Sequence, residues 1–345
     1  MNEASPAPDW KIFLGNRTPH DGIDRLLRLP PPPWRPFRTD TVVQERRRVA
    51  SDQLLPATQQ RGRTFQATDE IIEIVNAALY LRRPLLVTGN PGSGKSSLID
   101  AIAYELALGE PLRWAVTSRS SLRDALYHYD AVARLQATQQ AHIEGKDKGD
   151  IPLTLFLRLG PLGTALLPTD RPRALLIDEI DKADLDLPND LLNILEEGEF
   201  DIPELTRLAQ DTVAVRLHGS ESADSHPITR GKVQAKQFPL VLFTSNGERE
   251  FPPAFLRRCL RLQMPDPCAD IARLTQVVQA QLGEYFDEKT RPAIDQRIAD
   301  FVKRAATERL ATDQLLNAVL LVVGRAGVPE TRKDDLVKAI TQPLN

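Results

Sequence analysis

The chain has 345 residues, 41% of them hydrophobic and 26% charged, and carries a net charge of −3. These values are typical of a globular protein of two or three domains, without the basic excess that indicates nucleic-acid binding. The two cysteines, Cys259 and Cys268, exclude a disulfide framework and a cysteine zinc site. No apolar stretch approaches the ~20 residues that cross a bilayer, and the first residues lack the features of a signal peptide. We therefore expect a cytoplasmic protein.

Residues 1–60 are rich in proline and in aromatic side chains, and a run of consecutive prolines precedes Trp34. The same segment contains Trp10, Phe13 and Phe37. Because a flexible tail is usually poor in aromatic residues, we expect an arm that docks through these side chains on the rest of the chain or on a neighbouring subunit. Its conformation is predicted to be largely extended. The proline content leaves a partly disordered leader as the alternative.

A phosphate loop follows the first predicted strand. After a predicted helix that opens at Thr68, the apolar run 84–88 is typical of a buried strand, and the pattern G-x-x-x-x-G-K-S follows directly. Glycines let backbone N–H groups wrap a polyphosphate, Lys95 reaches its β- and γ-phosphates, and the Ser96 hydroxyl coordinates Mg²⁺. The residues expected to contact the nucleotide are Gly89, Asn90, Pro91, Gly92, Ser93, Gly94, Lys95, Ser96 and Ser97.

A second apolar run, residues 174–177, ends in two adjacent carboxylates, Asp178 and Glu179. Such a run is typical of a strand buried on both faces of a parallel sheet. Its end would then lie at the carboxyl edge, where open α/β sheets bind ligands. We expect Asp178 to hold Mg²⁺ through water, together with Ser96, and Glu179 to polarise the attacking water. Taken alone, the segment also fits a strand followed by a solvated acidic turn.

The remaining patterns predict an α/β core followed by a helical unit. A helix from Pro188 to Glu197 and a hairpin around the turn-rich segment 219–227 precede a buried strand at 239–246, and 260–262 forms the last strand. Helical patterns then cover residues 270–282, 291–310 and 312–323. The predicted fold class is α/β, a P-loop nucleoside triphosphatase with a parallel sheet, helices on both faces and a small all-helical domain. The predicted domains are 1–60, 61–264 and 265–345.

The order of these motifs resembles that of the AAA+ ATPases, and within them the MoxR-like branch, over about residues 61–325. The motifs are, in chain order, Gly89–Ser96, Leu176–Lys182, Thr244–Asn246 and Pro253–Cys259. Asp181 and Lys182 depart from the Asn-Arg pair that the family carries after its acidic residues. The resemblance implies a large α/β subdomain that binds ATP and Mg²⁺, a helical lid, and a ring, usually a hexamer, with ATP between subunits.

The resemblance also implies roles for residues outside the phosphate loop. Asn246 stands where the family has its first sensor, which orients the attacking water, although by itself it fits a turn residue. Arg257 and Arg258 stand where the family has the arginine finger that stabilises charge on a neighbour's γ-phosphate. By themselves they fit solvated helix-end residues, and the sequence does not decide which one is the finger. Arg309 is the nearest candidate for the second sensor.

The function that the resemblance implies is ATP hydrolysis by a ring that remodels or activates a partner protein in a chaperone-like way. The partner in this branch frequently carries a von Willebrand factor A domain. The segments 125–155 and 203–238 lie where the branch has inserts that face the pore and the substrate. A nucleotide-controlled assembly scaffold and a nucleic-acid motor or loader stay open as alternatives. Glu179 argues against the scaffold, and the basic run Arg46–Arg48 is the best support for the motor. Neither nucleic acid nor a membrane is an expected partner.

Overall fold

Two sheets and a helical group make up the part of the chain that the computed structural model describes. That part consists of residues 10–35, 37, 49–143, 151–219, 224–305, 307–323 and 329–343. Its strands are β1 Leu85–Thr88, β2 Leu112–Ala115, β3 Tyr127–Tyr129, β4 Leu157–Leu159, β5 Ala174–Asp178, β6 Glu199–Asp201, β7 Thr212–Arg216, β8 Ser225–Thr229, β9 Lys232–Gln234, β10 Leu240–Ser245 and β11 Leu260–Gln263. Its α-helices are α1 Gly22–Leu27, α2 Pro56–Thr64, α3 Asp69–Leu81, α4 Ser97–Glu105, α5 Leu122–Leu126, α6 Ala131–Ile143, α7 Pro161–Ala165, α8 Leu187–Glu197, α9 Pro203–Thr206, α10 Pro253–Leu256, α11 Ile271–Leu282, α12 Arg291–Ala305, α13 Thr312–Val323 and α14 Glu330–Ile340.

The first sheet is five-stranded and parallel, with the strand order β11-β1-β10-β5-β2. Its register places Leu242 of β10 and Leu260 of β11 on either side of Leu85 of β1. All of β10 is buried, as expected of a central strand with helices on both faces of the sheet. The α/β fold class predicted from the sequence is confirmed. Since the strands are parallel, β1, β10 and β5 end at the same edge, where the site lies.

The second sheet, of order β3-β4-β7-β8-β9-β6, is built from segments that the sequence predicted as a hairpin and loops. The expected hairpin is a run of three antiparallel strands, and the expected turn at 219–227 contains the first half of β8. On β8, His226 and Ile228 are buried whereas Pro227 is exposed. Pairing with β7 imposes this alternation, which the proline and the polar neighbours conceal in the sequence.

Four helices, α11 to α14, follow the first sheet in the chain. Helices α11, α12 and α13 share a core that contains Leu274, Val278, Ile294, Ile298, Leu315 and Val319. The helix predicted at 291–310 ends at Ala305, and α14 was not predicted because charged residues dominate its sequence, ETRKDDLVKAI. The group fits the helical lid that the resemblance implies. The domain boundaries at 60 and 265 stay predictions.

Parts of several predicted segments lie outside the described residues, namely Arg46–Arg48, residues 144–150 and residues 220–223. Within the segment 125–155, the described residues include strand β3 and helix α6. Within the described ranges, no helix combines the length and the apolar character needed to cross a membrane. The cytoplasmic location stays a prediction.

The N-terminal arm packs onto the helices that flank the first sheet. Ile12, Phe13, Ile23 and Leu26 are buried in one core with side chains of α3, α4 and β1. Ile23 and Leu26 belong to α1, so the arm is in part helical rather than largely extended. The three-residue spacing of Ile23 and Leu26 places both side chains on one face of this short helix.

The tryptophans of the arm stay largely exposed in the single chain, so their expected docking on a neighbouring subunit stays a prediction. Trp34 is 73% exposed, and Trp10 is 47% exposed beside Tyr80. Phe37 is partly buried and stacks on Phe238, with ring centroids 5.7 Å apart. Aliphatic residues and Phe13 supply most of the buried apolar contact instead, because they lie on the side of the arm that faces the core.

Two buried polar side chains of the core bind the backbone of the arm. Asn76 on α3 accepts hydrogen bonds from the N–H groups of Ile12 and Phe13, at 2.6 and 2.9 Å, and donates to the Phe13 carbonyl at 2.7 Å. Glu105, at the end of α4, accepts from further N–H groups of the arm. The donors to Glu105 are Leu14, Gly15 and Arg17, at 2.5, 3.1 and 3.2 Å. The arm is thereby tied to the far end of the helix that begins at residue 97.

Candidate active site

The loop between β1 and α4 has the backbone conformation that its glycines predict. Gly92 and Gly94 have φ angles of 76° and 87°, in the left-handed region that favours glycine. A Cβ atom on Gly92 would lie 2.9 Å from the backbone nitrogen of Thr312, so no side chain fits there without movement of the lid. The loop leads directly into α4, whose N-terminal N–H groups form a ready site for a phosphate.

Lys95 is buried and its ammonium group lies inside the loop. Nζ donates hydrogen bonds to the carbonyl oxygens of Gly89 and Asn90, at 2.8 and 2.9 Å. Burial lowers the pKa of Lys95, and the nearby carboxylates of Asp178, Asp181 and Glu179 oppose this shift. The cation therefore has only neutral carbonyls as direct partners, and a polyphosphate in the loop would be a stronger one.

Asp178 ends β5 within reach of the loop. Its Oδ1 accepts a hydrogen bond from the Ser96 hydroxyl at 2.8 Å and another from the Thr244 hydroxyl. A hydroxyl and a carboxylate side by side are suitable oxygen ligands for Mg²⁺, which takes its other ligands from phosphates and water. Ser96 and Asp178 thus fit the metal that the sequence predicts.

Glu179 has an unusual backbone and a partnered side chain. Its φ and ψ of 58° and 48° place a non-glycine residue in the left-handed region, a strain of ~1–3 kcal/mol that is common at functional sites. Its N–H donates to the Thr244 hydroxyl at 2.9 Å, which holds this conformation. Its carboxylate accepts a hydrogen bond from Lys182 at 2.7 Å, and this bond raises the pKa of Lys182. Lys182 thus occupies one of the two oxygens, Oε2, of the Glu179 carboxylate.

Asn246 follows β10, the strand between β1 and β5, and lines the same cleft as Lys95, Asp178 and Glu179. Its backbone N–H donates to Oδ2 of Asp181 at 3.0 Å, as does the N–H of Glu248 at 3.1 Å. Asp181 is buried, so the residue that departs from the family pattern holds the turn that carries Asn246. The sequence analysis assigned Asp181 no role, and its place directly after the acidic pair was the only signal.

Arg257 and Arg258 lie outside this cleft. Arg258 forms an ion pair with Glu196 on α8, with 3.0 Å between Nε and Oε1. Arg257 is exposed, and among the residues described its side chain has no hydrogen-bond or ion-pair partner. The structure thus gathers the loop, the acidic pair and Asn246 in one place and leaves the arginine pair on another surface of the same chain.

The lid contributes to a second cavity next to the loop. The cavity has a volume of about 160 Å³ and lies between the loop, α2 and helices α11 and α13. Arg273, Thr312 and Asp313 line it, and Nε of Arg273 is buried without a hydrogen-bond partner in the described part of the chain. Arg309, the candidate second sensor, is exposed and lines neither the cleft nor this cavity. Sequence reasoning missed the three lining residues because they reach the loop only through packing of the lid.

A parallel sheet in which β1 ends in this loop, and β5 and β10 end in polar residues beside it, defines a P-loop nucleoside triphosphatase. The sequence profile described as AAA domain (dynein-related subfamily) matches residues 84–259. The chain belongs to this family and is therefore an AAA+ protein. Members of the family generally bind and hydrolyse ATP, and they commonly assemble into rings.

Comparisons with individual proteins give less information than the family profile does. No curated protein sequence matches the chain. Among solved structures, the crystal structure of NtrX from Brucella abortus in complex with ADP is similar, with 13% sequence identity and a TM-score of 0.39. The similarity covers 81% of this chain and 53% of that chain. The chain thus spans about half the length of that protein.

Proposed function

We propose that this protein is an ATP-hydrolysing AAA+ ring ATPase of the MoxR-like type that remodels or activates a partner protein. One observation supports this most strongly: three stretches far apart in the chain, around Lys95, Asp178 and Asn246, line a single cleft. Together they supply a cation for the phosphates, a carboxylate pair and an amide at a strand end. These are the groups that phosphoryl transfer to water requires.

Each residue of the cleft has one task in this reaction. Lys95 and the N–H groups of the loop bind the β- and γ-phosphates, and Ser96 and Asp178 hold Mg²⁺. When bound, the metal neutralises the charge that develops on the phosphate oxygens. Glu179 accepts a proton from the attacking water, and Asn246 orients that water toward the γ-phosphate.

Among the described residues that line the cleft, Lys95 is the only cation, and Arg257 and Arg258 lie outside it. A neighbouring subunit that presents its own arginine pair supplies a second positive charge for the γ-phosphate, so the active site is shared and the working form is a ring, a hexamer by family resemblance. The motif order and the two inserted segments support the MoxR-like branch. By the same resemblance the partner is a protein, such as one with a von Willebrand factor A domain.

The proposed function is tested by ATP turnover of Glu179→Gln beside the wild type. We expect the variant to bind ATP but to hydrolyse it at least ~100-fold more slowly, the scale of a lost positioned base. Glu288→Gln removes the charge of an exposed carboxylate remote from the cleft and serves as the control. Equal turnover by Glu179→Gln and wild type would count against the proposal.

The same variant separates remodelling from a scaffold. In ATP, Glu179→Gln should retain bound partner protein that wild type releases on hydrolysis. If the wild type assembles with nucleotide and hydrolyses none, the scaffold alternative is correct instead.

A further inference from the structure

Side chains of α8, of the N-terminal arm and of the residues after α3 hold the segment that carries Arg257 and Arg258. Arg258 pairs with Glu196 on α8 at 3.0 Å. Arg35 of the N-terminal arm lies 3.8 Å from the same Glu196 carboxylate oxygen. One carboxylate is thus shared by a guanidinium of the arm and a guanidinium of the arginine pair.

Arg35 is itself firmly fixed. It is 9% exposed, donates a hydrogen bond to the Arg82 carbonyl, and lies over the Phe238 ring, 5.5 Å from its centroid. Burial lowers the pKa of Arg35, and the Glu196 carboxylate opposes this effect. A buried cation with defined partners on three sides has little freedom, so it also restricts where Glu196 can lie.

The main chain of the segment is anchored as well. Arg83, just after α3, donates to the carbonyl of Arg258 at 3.1 Å and to the carbonyl of Arg257. The backbone is therefore fixed while the Arg257 side chain is exposed and the Arg258 side chain is held only at Glu196. This arrangement fixes the backbone of both arginines and the side chain of Arg258, next to the exposed side chain of Arg257.

We propose that Arg35, acting through Glu196, is a positioning residue for the arginine pair that each subunit presents to its neighbour. The proposal rests on the shared site of the proposed function, and it makes the N-terminal arm part of the catalytic interface. Arg35 fixes the Glu196 carboxylate, and Glu196 fixes the side chain of Arg258 beside Arg257. When Arg258 moves toward a neighbour's phosphate, Arg35 also keeps Glu196 from becoming an unpaired charge.

The test uses rings of two variants with different tasks. A finger donor carries Glu179→Gln, so it binds ATP and has an intact arginine pair but cannot hydrolyse. A loop donor carries Arg257→Ala/Arg258→Ala, so its own cleft is intact but it offers no arginine. Neither variant alone should turn over ATP at the wild-type rate, and their mixture should recover activity at interfaces where the loop donor's cleft meets the finger donor's arginines.

Arg35→Ala is then added to one donor at a time. We expect it to lower the recovered activity by ~10-fold, the scale of a misplaced catalytic group, when it is in the finger donor. In the loop donor it should have little effect. Arg35→Lys in the finger donor should restore part of the activity. Arg25→Ala is the matched control, because Arg25 lies on the same arm but donates to the Lys11 carbonyl within the arm itself.

Each other outcome overturns the inference. A folding defect lowers activity equally in both placements, so equal losses would mean that Arg35 is merely structural. No loss in either placement would mean that it has no role in positioning. If the mixture without any Arg35 substitution recovers no activity, the shared site itself is wrong and the inference fails with it.

Discussion

Two charged residues of the cleft, Lys95 and Glu179, already have hydrogen-bond partners within the protein. Lys95 donates to two loop carbonyls, and Glu179 accepts from Lys182. A polyphosphate in the loop would compete with the first set of contacts, whereas Lys182 occupies one oxygen, Oε2, of the Glu179 carboxylate. In the proposed mechanism the cleft of one chain is completed by the arginine pair of a neighbouring subunit.

Lys95→Ala should abolish ATP binding, because Lys95 is the one cation among the described residues lining the cleft that can compensate the β- and γ-phosphates. Isothermal titration of ATP into the variant measures this directly. Lys232→Ala, which removes an exposed lysine paired with Glu199 on the second sheet, should bind ATP as the wild type does. Wild-type affinity in Lys95→Ala would mean that the loop is not the phosphate site.

Cys259 should make stability fall at alkaline pH. Burial raises the pKa of its thiol to about 12, whereas the unfolded thiol titrates near 9. The unfolded state thus binds fewer protons above pH 9, so the free energy of unfolding falls as pH rises toward 12, by up to ~1.4 kcal/mol per pH unit from this group. Urea unfolding of wild type and Cys259→Ala between pH 8 and 10.5 tests it. Parallel pH profiles for the two proteins would contradict the prediction.

At the scale of elements, the arm and helices α3 and α4 behave as one packed unit. The arm contributes Ile12 and Phe13 to the core, and Asn76 and Glu105 satisfy its backbone. Backbone groups of an extended segment cannot be buried without such partners, because an unpaired buried N–H is costly. The two side chains therefore decide whether the arm stays docked.

Asn76→Ala should lower the free energy of unfolding by ~2–4 kcal/mol, because it leaves buried N–H groups of the arm unpaired. Urea unfolding at neutral pH measures the change. Asn16→Ala is the matched control, since Asn16 lies on the arm itself and accepts an exposed local hydrogen bond from Thr18. An Asn76→Ala protein as stable as the control would show that the arm contributes little to the folded state.

The sequence predicts an element when local residues define it, and fails when the element depends on pairing with a distant part of the chain. Local patterns correctly predicted β1, β5 and β10, because each is an apolar run bounded by glycine or charge, and α3, which is capped by Thr68. The second sheet was predicted only as a hairpin and loops, since its strands are short and β3–β4 and β6–β9 pair across long stretches of chain. The exposure of Trp34 could not be predicted either. Composition indicates that a segment packs against another surface, but it does not show which side chains of the segment face that surface.

The residues of the candidate site likewise form two groups: those that local motifs predict and those that only packing of distant segments brings to the site. The positions of Lys95 and Asp178 follow from motifs with fixed neighbours, and the structure brings them together with Asn246. Arg273 and Asp313 line the adjoining cavity only because the lid packs on the loop. Such contacts between a lid and a core leave no local pattern in the sequence.

At the scale of the whole molecule, the proposed mechanism makes subunit assembly part of ATP hydrolysis, because the arginine pair lies outside the cleft of its own chain. We expect ATP to drive association, which sedimentation velocity with and without nucleotide would measure. Lys95→Ala should stay dissociated in ATP, because it cannot bind the ligand that joins the subunits. A wild-type protein that remains monomeric in ATP at every accessible concentration would contradict the shared site.

The hydrogen bonds from the arm to Glu105 have a consequence for the smallest stable fragment. The family profile begins at residue 84, yet a chain that starts there would lack the arm donors that satisfy the Glu105 carboxylate, which is buried in the full chain. It would also uncover Val87 and Ile102, which share a core with Phe13. The unit that folds is therefore longer than the unit that defines the family, and a fragment cut at the family boundary should be recovered as an aggregate rather than as an isolated ATPase domain.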